Sequence, residues 1–291
     1  MYSSLIVQAM KTIPLLVVLT CFLTLSLLAQ PGSVLSQSTS MRKVIPYPYI
    51  READVMWGKK VWEVIDLREK MNFSLYYPNA PLTDRISLWD IIRNGVYPPE
   101  GGSGIAALTA YSAMDNSFNT TISRKELKEL MDRTDTAWVP SDDDPNRLVP
   151  KAYSTTLSSA DIRQYWMQEE WIFDKQRSVL ECRILAIMPV IEKKNDKGEV
   201  QGLASTFWIS FAELRPLLVQ QYAFLRKNSV HQLTYDDLFT KRMFSSYIIK
   251  EDNPADRMIA EYKGANTLDA LLESEQIKEG IRNKESDMWH H

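Results

Sequence analysis

Three kinds of apolar spacing run along the chain. The first is an unbroken stretch, "TIPLLVVLTCFLTLSLLA", 18 residues from Thr12 to Ala29. The second is helical. In "READVMWGKKVWEVIDLREK", Trp57, Val61, Val64, Ile65 and Arg68 fall at i, i+4, i+7, i+8 and i+11, which predicts one stripe of a helix. Its other face would carry Lys59 with Glu63 and Asp66 with Lys70 as solvated i,i+4 pairs that stabilise little. "DRISLWDIIRNG" predicts a shorter helix closed by Gly95 as a C′ glycine. Ser123 with Glu126, Ser210 with Glu213 and Thr234 with Asp237 have capping-box spacing and mark helix starts. After Ser210 a kink or a restart at Pro216 is expected, with "LLVQQYAFLRK" continuing the helix. After Thr234 one long stripe would bury Phe239, Met243, Phe244, Tyr247 and Ile248. "NTLDALLESEQIKEGIRNKE" makes the last amphipathic helix.

The third spacing has period two. In "DIRQYWMQEEWIFD", Tyr165, Met167, Glu169, Trp171 and Phe173 share one side of an extended chain, and Ile162, Gln164, Trp166, Gln168 and Glu170 the other. In "SVLECRILAIMPVIEK", Leu180, Cys182, Ile184, Ala186 and Met188 share a face, with Glu181 and Arg183 opposite. "NDKG" predicts a hairpin turn using Gly198, and "EVQGLASTFWIS" the returning strand. The expected fold is α+β: an antiparallel meander of about three strands packed with several amphipathic helices. Residues 44–137 read as an N-terminal helical region whose "VIPYPYI" is extended because of its prolines. Residues 138–158 read as a Pro/Asp-rich linker, and 159–291 as a C-terminal α+β region.

Charge and composition narrow the function. The net charge is -3, with no basic block, so the clustered cations that nucleic-acid binding needs are missing. Lys11 before the apolar run and "QPGSVLSQSTS" after it form an export signal over residues 1–30, cut near Ala29 or Gln30, with 31–43 a disordered lead. A run this long could also stay uncut as an anchor, and Cys21 sits in a poor lipobox. The mature chain keeps one cysteine, Cys182, so it forms no internal disulfide.

Candidate chemistry is sparse. Glu169 and Glu170 point to opposite faces of a strand, so their own spacing makes no carboxylate pair. Cys182 lies among apolar neighbours, as a buried hydrophobe would. The three histidines, His231, His290 and His291, offer no metal-ligand spacing, and the glycines of "YPPEGGSGIAALTAY" lack the Lys-Ser/Thr of a phosphate loop. Asp142, Asp143 and Asp144 lack the alternation of a calcium loop. No cofactor is expected. Eight tryptophans and thirteen tyrosines, several beside charges, suggest protein contacts instead. The candidate partner surface is Trp171, Phe173, Lys175 and Arg177, with Trp57 and Trp62 next. The competing readings are a periplasmic hydrolase using Asp66, Glu63 or Glu170, and a glycan-binding module.

"ADVMWGKKVWEVIDLREKMNFSLYYP", "EEWIFDKQRSVLECRILAIMPV", "FWISFAELRP", "DDLFTKRMFSSYIIKE" and "LDALLESEQIKE…MWHH", in that order from about Val44 to His291, resemble the GldN/PorN family. The resemblance implies a component of the type IX secretion and gliding-motility machinery of Bacteroidetes. It implies a non-enzymatic subunit that forms a periplasmic ring with a GldK/PorK-like lipoprotein. Membrane contact would be indirect, at the outer membrane through that lipoprotein. It further implies contact with the periplasmic domain of a GldM/PorM-like protein that reaches from the inner membrane.

Overall fold

The computed structural model describes residues 43–82, 85–98, 107–140, 148–194, 200–223, 233–264 and 267–288. The export signal, most of the lead, Asp142 to Asp144, Gly198 and the three histidines lie outside them.

The strands are β1 (Val55–Asp66), β2 (Ala110–Ser112), β3 (Asp132–Pro140), β4 (Leu148–Thr156), β5 (Ile162–Asp174), β6 (Val179–Lys194), β7 (Val200–Ser205), β8 (Phe207–Ser210) and β9 (Tyr247–Glu251). Seven of them form one antiparallel sheet in the order β2-β8-β6-β5-β1-β9, with β7 pairing β6 beside that path. The expected hairpin of β5, β6 and the return through β7 and β8 is there. The expectation of about three strands falls short, because β1, β2 and β9 were read as helix or loop. β3 and β4 pair separately as a two-stranded ribbon; most of β3 lies in the expected helical region 44–137, and its end and β4 in the expected linker 138–158.

The largest correction is β1. Trp57, Val61 and Ile65 are four apart, a spacing common to a helix turn and to every second pair of strand positions, so periodicity alone does not separate them. Val, Trp and Ile favour a pleated, packed surface, and here that preference wins. β1 lies between β5 and β9, and Val61 to Asp66 are buried without a break, as befits a strand covered on both faces. The i,i+4 ion pairs therefore vanish: Lys59 pairs with Glu251, Glu63 and Asp66 are buried, and Asp66 is held by Arg68 at 2.6 Å.

A second correction concerns β6. Gln168 faces Ala186 while Glu169 faces Ile184, which leaves Leu185 as an extra residue. This bulge reverses the facing of everything after it. Ile184 lies in the main core with Ile187 and Ile191, whereas Ala186, Met188 and Val190 pack on the other side with Trp62 and Trp208. The expected shared face of Ile184, Ala186 and Met188 does not form.

The helices are short except the last: α1 (Phe73–Tyr76), α2 (Leu88–Val96), α3 (Arg124–Met131), α4 (Phe211–Leu218), α5 (Tyr235–Thr240), α6 (Ile259–Lys263) and α7 (Thr267–Met288). No helix among the described residues is long and apolar enough to cross a membrane. α2 starts at Ser87, whose side chain accepts from Asp90 N. Gly95 does not cap it. It lies inside the helix, where an added Cβ would come within 2.5 Å of Leu108 and 2.9 Å of Leu217, so its small size permits packing. The Ser123 and Thr234 capping boxes form as expected. The Ser210 box does not: its side chain makes no cap, and Glu213 accepts from Thr109 N at 3.0 Å instead. Pro216 lies inside α4, which ends at Leu218 rather than running on.

α2, α4 and α5 cover one face of the sheet over Ile65, Tyr165, Met167 and Ile184, forming the main core. Farther along that face Val61, Ile248, Ile277 and Ile281 make a smaller core under α7, with Trp57 and Trp171 packed against it. α7 also closes the β9 edge, since Ile248 N donates to Ser274 Oγ at 2.8 Å. Covering an edge in this way blunts its pairing with a foreign strand.

Candidate functional site

Between these two cores, on the same face of the sheet, lie charged side chains. Glu63 of β1 follows Val61 at a core-facing position, and Glu169 of β5 follows Met167 in the same way. Their strands are neighbours in a register that sets Val61 opposite Glu169. Glu63 is 1% exposed and Glu169 0%. Two carboxylates in such a place require a cation, and Arg242 supplies it.

The backbone explains how Arg242 gets there. α5 ends in a Schellman arrangement: Met243 N donates to Leu238 O at 2.9 Å and Arg242 N to Phe239 O at 3.0 Å. The C′ position of that motif needs positive φ and usually takes glycine. Here it holds arginine at φ 49°. A non-glycine residue in this region costs about 1–2 kcal/mol, and the side chain so directed makes the contacts that offset it. The same turn ends the expected long helix, so Met243 is 39% exposed and Tyr247 and Ile248 belong to β9.

Arg242 Nη1 donates to Glu169 Oε1 at 2.7 Å and to Cys182 Sγ at 3.2 Å. Its Nη2 donates to Glu63 Oε2 at 3.2 Å, and Ser246 Oγ donates to the same oxygen at 2.6 Å. Cys182 in turn lies 3.2 Å from Glu169 Oε2. The guanidinium sits over the rings of Trp171 and Phe244, 5.4 and 5.3 Å from their centroids. Three strands and the α5–β9 turn thus meet at one cation.

The electrostatics follow from two carboxylates sharing one guanidinium. Burial, and then the neighbouring Glu63, push the Glu169 carboxyl up to about 7 against the pull of Arg242. Burial and the Glu169 charge push the Cys182 thiol far above its ordinary range, so it is a poor nucleophile. Burial opposes the Arg242 charge, yet Glu169, Cys182 and Glu63 together hold it firmly protonated. Beside this cluster opens a cleft of about 440 Å³ bounded by Glu63, Trp171 and Arg242 on one side and α7 on the other.

The residues singled out from the sequence do not form one surface. Trp57 faces Phe173 across the β1–β5 pair, and both lie inward, Phe173 being 4% exposed. Trp171 lies beneath Arg242. Trp62 is on the opposite face of the sheet, under the ammonium of Lys250 at 4.3 Å. Arg177, itself exposed, clamps its own turn, 2.6 Å from both Asp174 and Glu181, and Lys175 beside it is exposed too. Nor do the carboxylates of the hydrolase reading converge. Asp66 lies at the far end of β1, and Glu170 alternates with Glu169 to the other face. Among the described residues no group of three His, Cys, Asp or Glu side chains could hold a metal ion. Sequence reasoning missed Glu63, Glu169, Arg242 and Ser246 as a set. The available signal was a carboxylate at a core-facing position in each of two apolar strands.

A comparison with curated proteins gives no match. The family pattern of the gliding motility associated protein GldN, however, matches residues 50–290, a span that takes in the whole sheet, both cores and the Arg242 cluster, and so this chain belongs to the GldN family.

Proposed function

We propose that the chain is a non-enzymatic structural subunit of the type IX protein secretion and gliding machinery. It works in the periplasm, held at the outer membrane by a GldK/PorK-like lipoprotein with which it forms a ring. It also touches the periplasmic domain of a GldM/PorM-like protein. The observation that carries this reading is the family match across residues 50–290. The geometry supports it: the most chemically suggestive groups in the fold, Glu63, Glu169, Cys182 and Arg242, bind one another and join three strands to a turn. A ring subunit shares heterologous contacts with its neighbours, which close when the rotation permits.

The test has two parts. Mature chain should co-purify with the lipoprotein, and a clean deletion should stop export of type IX cargo. Normal cargo secretion in the deletion strain contradicts the reading. At the turn between β5 and β6, the exposed part of the expected partner surface, Lys175→Glu is the clean probe, because Arg177 is needed by its own turn. It should weaken the complex and leave the monomer folded. Unchanged affinity moves the interface off this turn.

A further inference from the structure

The cleft beside Arg242 has a composition that the structural role of the cluster does not require. Its floor is the open side of Arg242, whose side chain keeps 33% of its exposure although both carboxylates beneath it are buried. Its walls mix Ser245 and Ser246 with apolar side chains: the accessible edges of Phe244 from the α5–β9 turn and Ile281 from α7, and Met71, which is 59% exposed. Its rim is α7, carrying Lys278 and Arg282 one turn apart. Lys278 Nζ donates to Ser246 O and stands 4.0 Å from Glu275, whose side chain is 68% exposed. Arg282 is exposed and has no partner among the described residues.

We propose that this cleft is a docking site for a polypeptide segment that carries a carboxylate next to an apolar side chain. The carboxylate approaches Arg282 and Lys278 and the outward edge of Arg242, and the apolar neighbour packs on Phe244, Ile281 and Met71. Charge complementarity selects this occupant. Three cations line the opening against Glu275, which points to solvent, and Glu63, which Arg242 and Ser246 already hold. The site stands on the cleft itself and goes beyond the assembly reading, so either can fail without the other.

Docking here is linked to protons. The charged and polar groups at or under the floor are Glu63 from β1, Glu169 from β5, Cys182 from β6, Arg242, Ser245 and Ser246 from the turn, and Lys278, Arg282 and Glu275 from α7. With Glu169 ionised, Glu63, Glu169 and Arg242 sum to one negative charge, which repels an incoming carboxylate. When Glu169 takes a proton they sum to zero. Affinity therefore rises as pH falls through about 7. If only the protonated form binds, the gain between pH 8 and pH 6 is at most about tenfold.

The experiment measures fluorescence anisotropy of a labelled peptide of alternating leucine and glutamate against the mature chain, with its leucine/glutamine counterpart as control. The glutamate peptide should bind at least about tenfold more tightly, and more tightly at pH 6 than at pH 8. Arg282→Glu, which removes no contact within the described fold, should cost about tenfold or more. Glu169→Gln should bind at pH 8 as the unaltered chain does at pH 6. Equal binding of the two peptides, or indifference to Arg282→Glu, overturns the proposal. Displacement of the peptide by millimolar inorganic phosphate also overturns it, since the cleft would then take any anion.

Discussion

Two arginines in this molecule each lie between two carboxylates, and they do opposite work. Arg177, whose side chain is 39% exposed, reaches Asp174 and Glu181, three and four residues away, around a surface turn in which Asp174 itself is buried. Arg242 reaches Glu169 and Glu63, 73 and 179 residues away, in the buried seam between two cores. The first pair of contacts follows from the local chain whether or not the sheet assembles. The second exists only once β1, β5 and the α5–β9 turn have met. The clamp, whose arginine stays in water, is screened on that side and contributes less, whereas the buried set, once desolvated, leaves a severe penalty if its one cation is lost.

Substitutions should separate the two sites by size. Arg242→Met strands two buried carboxylates and should lower unfolding free energy by about 3–5 kcal/mol, read by urea denaturation. Ser246→Ala removes one hydrogen bond to the Glu63 carboxylate and should cost about 2 kcal/mol in the same assay. A third prediction concerns pH. Because the Glu169 carboxyl titrates higher in the fold than its ordinary value, its contribution is full at low pH and is lost as pH rises through about 7. The unaltered chain should therefore lose about 1 kcal/mol between pH 6 and pH 8, and Glu169→Gln should flatten that slope. Asp174 has the opposite sign: Arg177 holds its carboxyl below the ordinary value, so its smaller contribution disappears on strong acidification. The smallest effect is Arg177→Ala, which should shift the urea midpoint least of the four, with no change in the slope near neutrality.

The same contrast explains what the sequence could reveal. The capping boxes at Ser123 and Thr234 lie within four residues and were legible. So were the hairpin return of β6 through β7 and β8 and the alternation of β5 from Gln164 onward; Ile162, beyond a bulge at Arg163, joins Tyr165 and Met167 in the main core instead of facing away from them. β1 was misread because Trp57, Val61 and Ile65 satisfy both periods, and only the neighbours β5 and β9 decide between them. The facing of Ala186 and Met188 was misread because one bulged residue, Leu185, reverses the strand's parity without any mark in its composition. The helix from Thr234 was drawn too long because arginine stands where glycine would have announced the end. The misreadings of β1 and of the helix from Thr234 each hid part of one site, Glu63 and Arg242 respectively. With β1 taken as a helix, Glu63 became a solvent-facing partner of Lys59, and Glu169 was compared with its sequence neighbour Glu170 instead of its neighbour across the sheet.

The family assignment rests on extended runs of sequence and survives these errors. The cluster's role as the joint between the two cores rests on geometry alone. Hydrogen exchange of the folded chain, with and without Arg242→Met, tests that joint most directly. The account predicts that protection falls selectively along β9 and α7, on the far side of the seam, while α2 and α4 over the main core keep theirs. An even loss across the sheet, or no loss in β9 and α7, would contradict it.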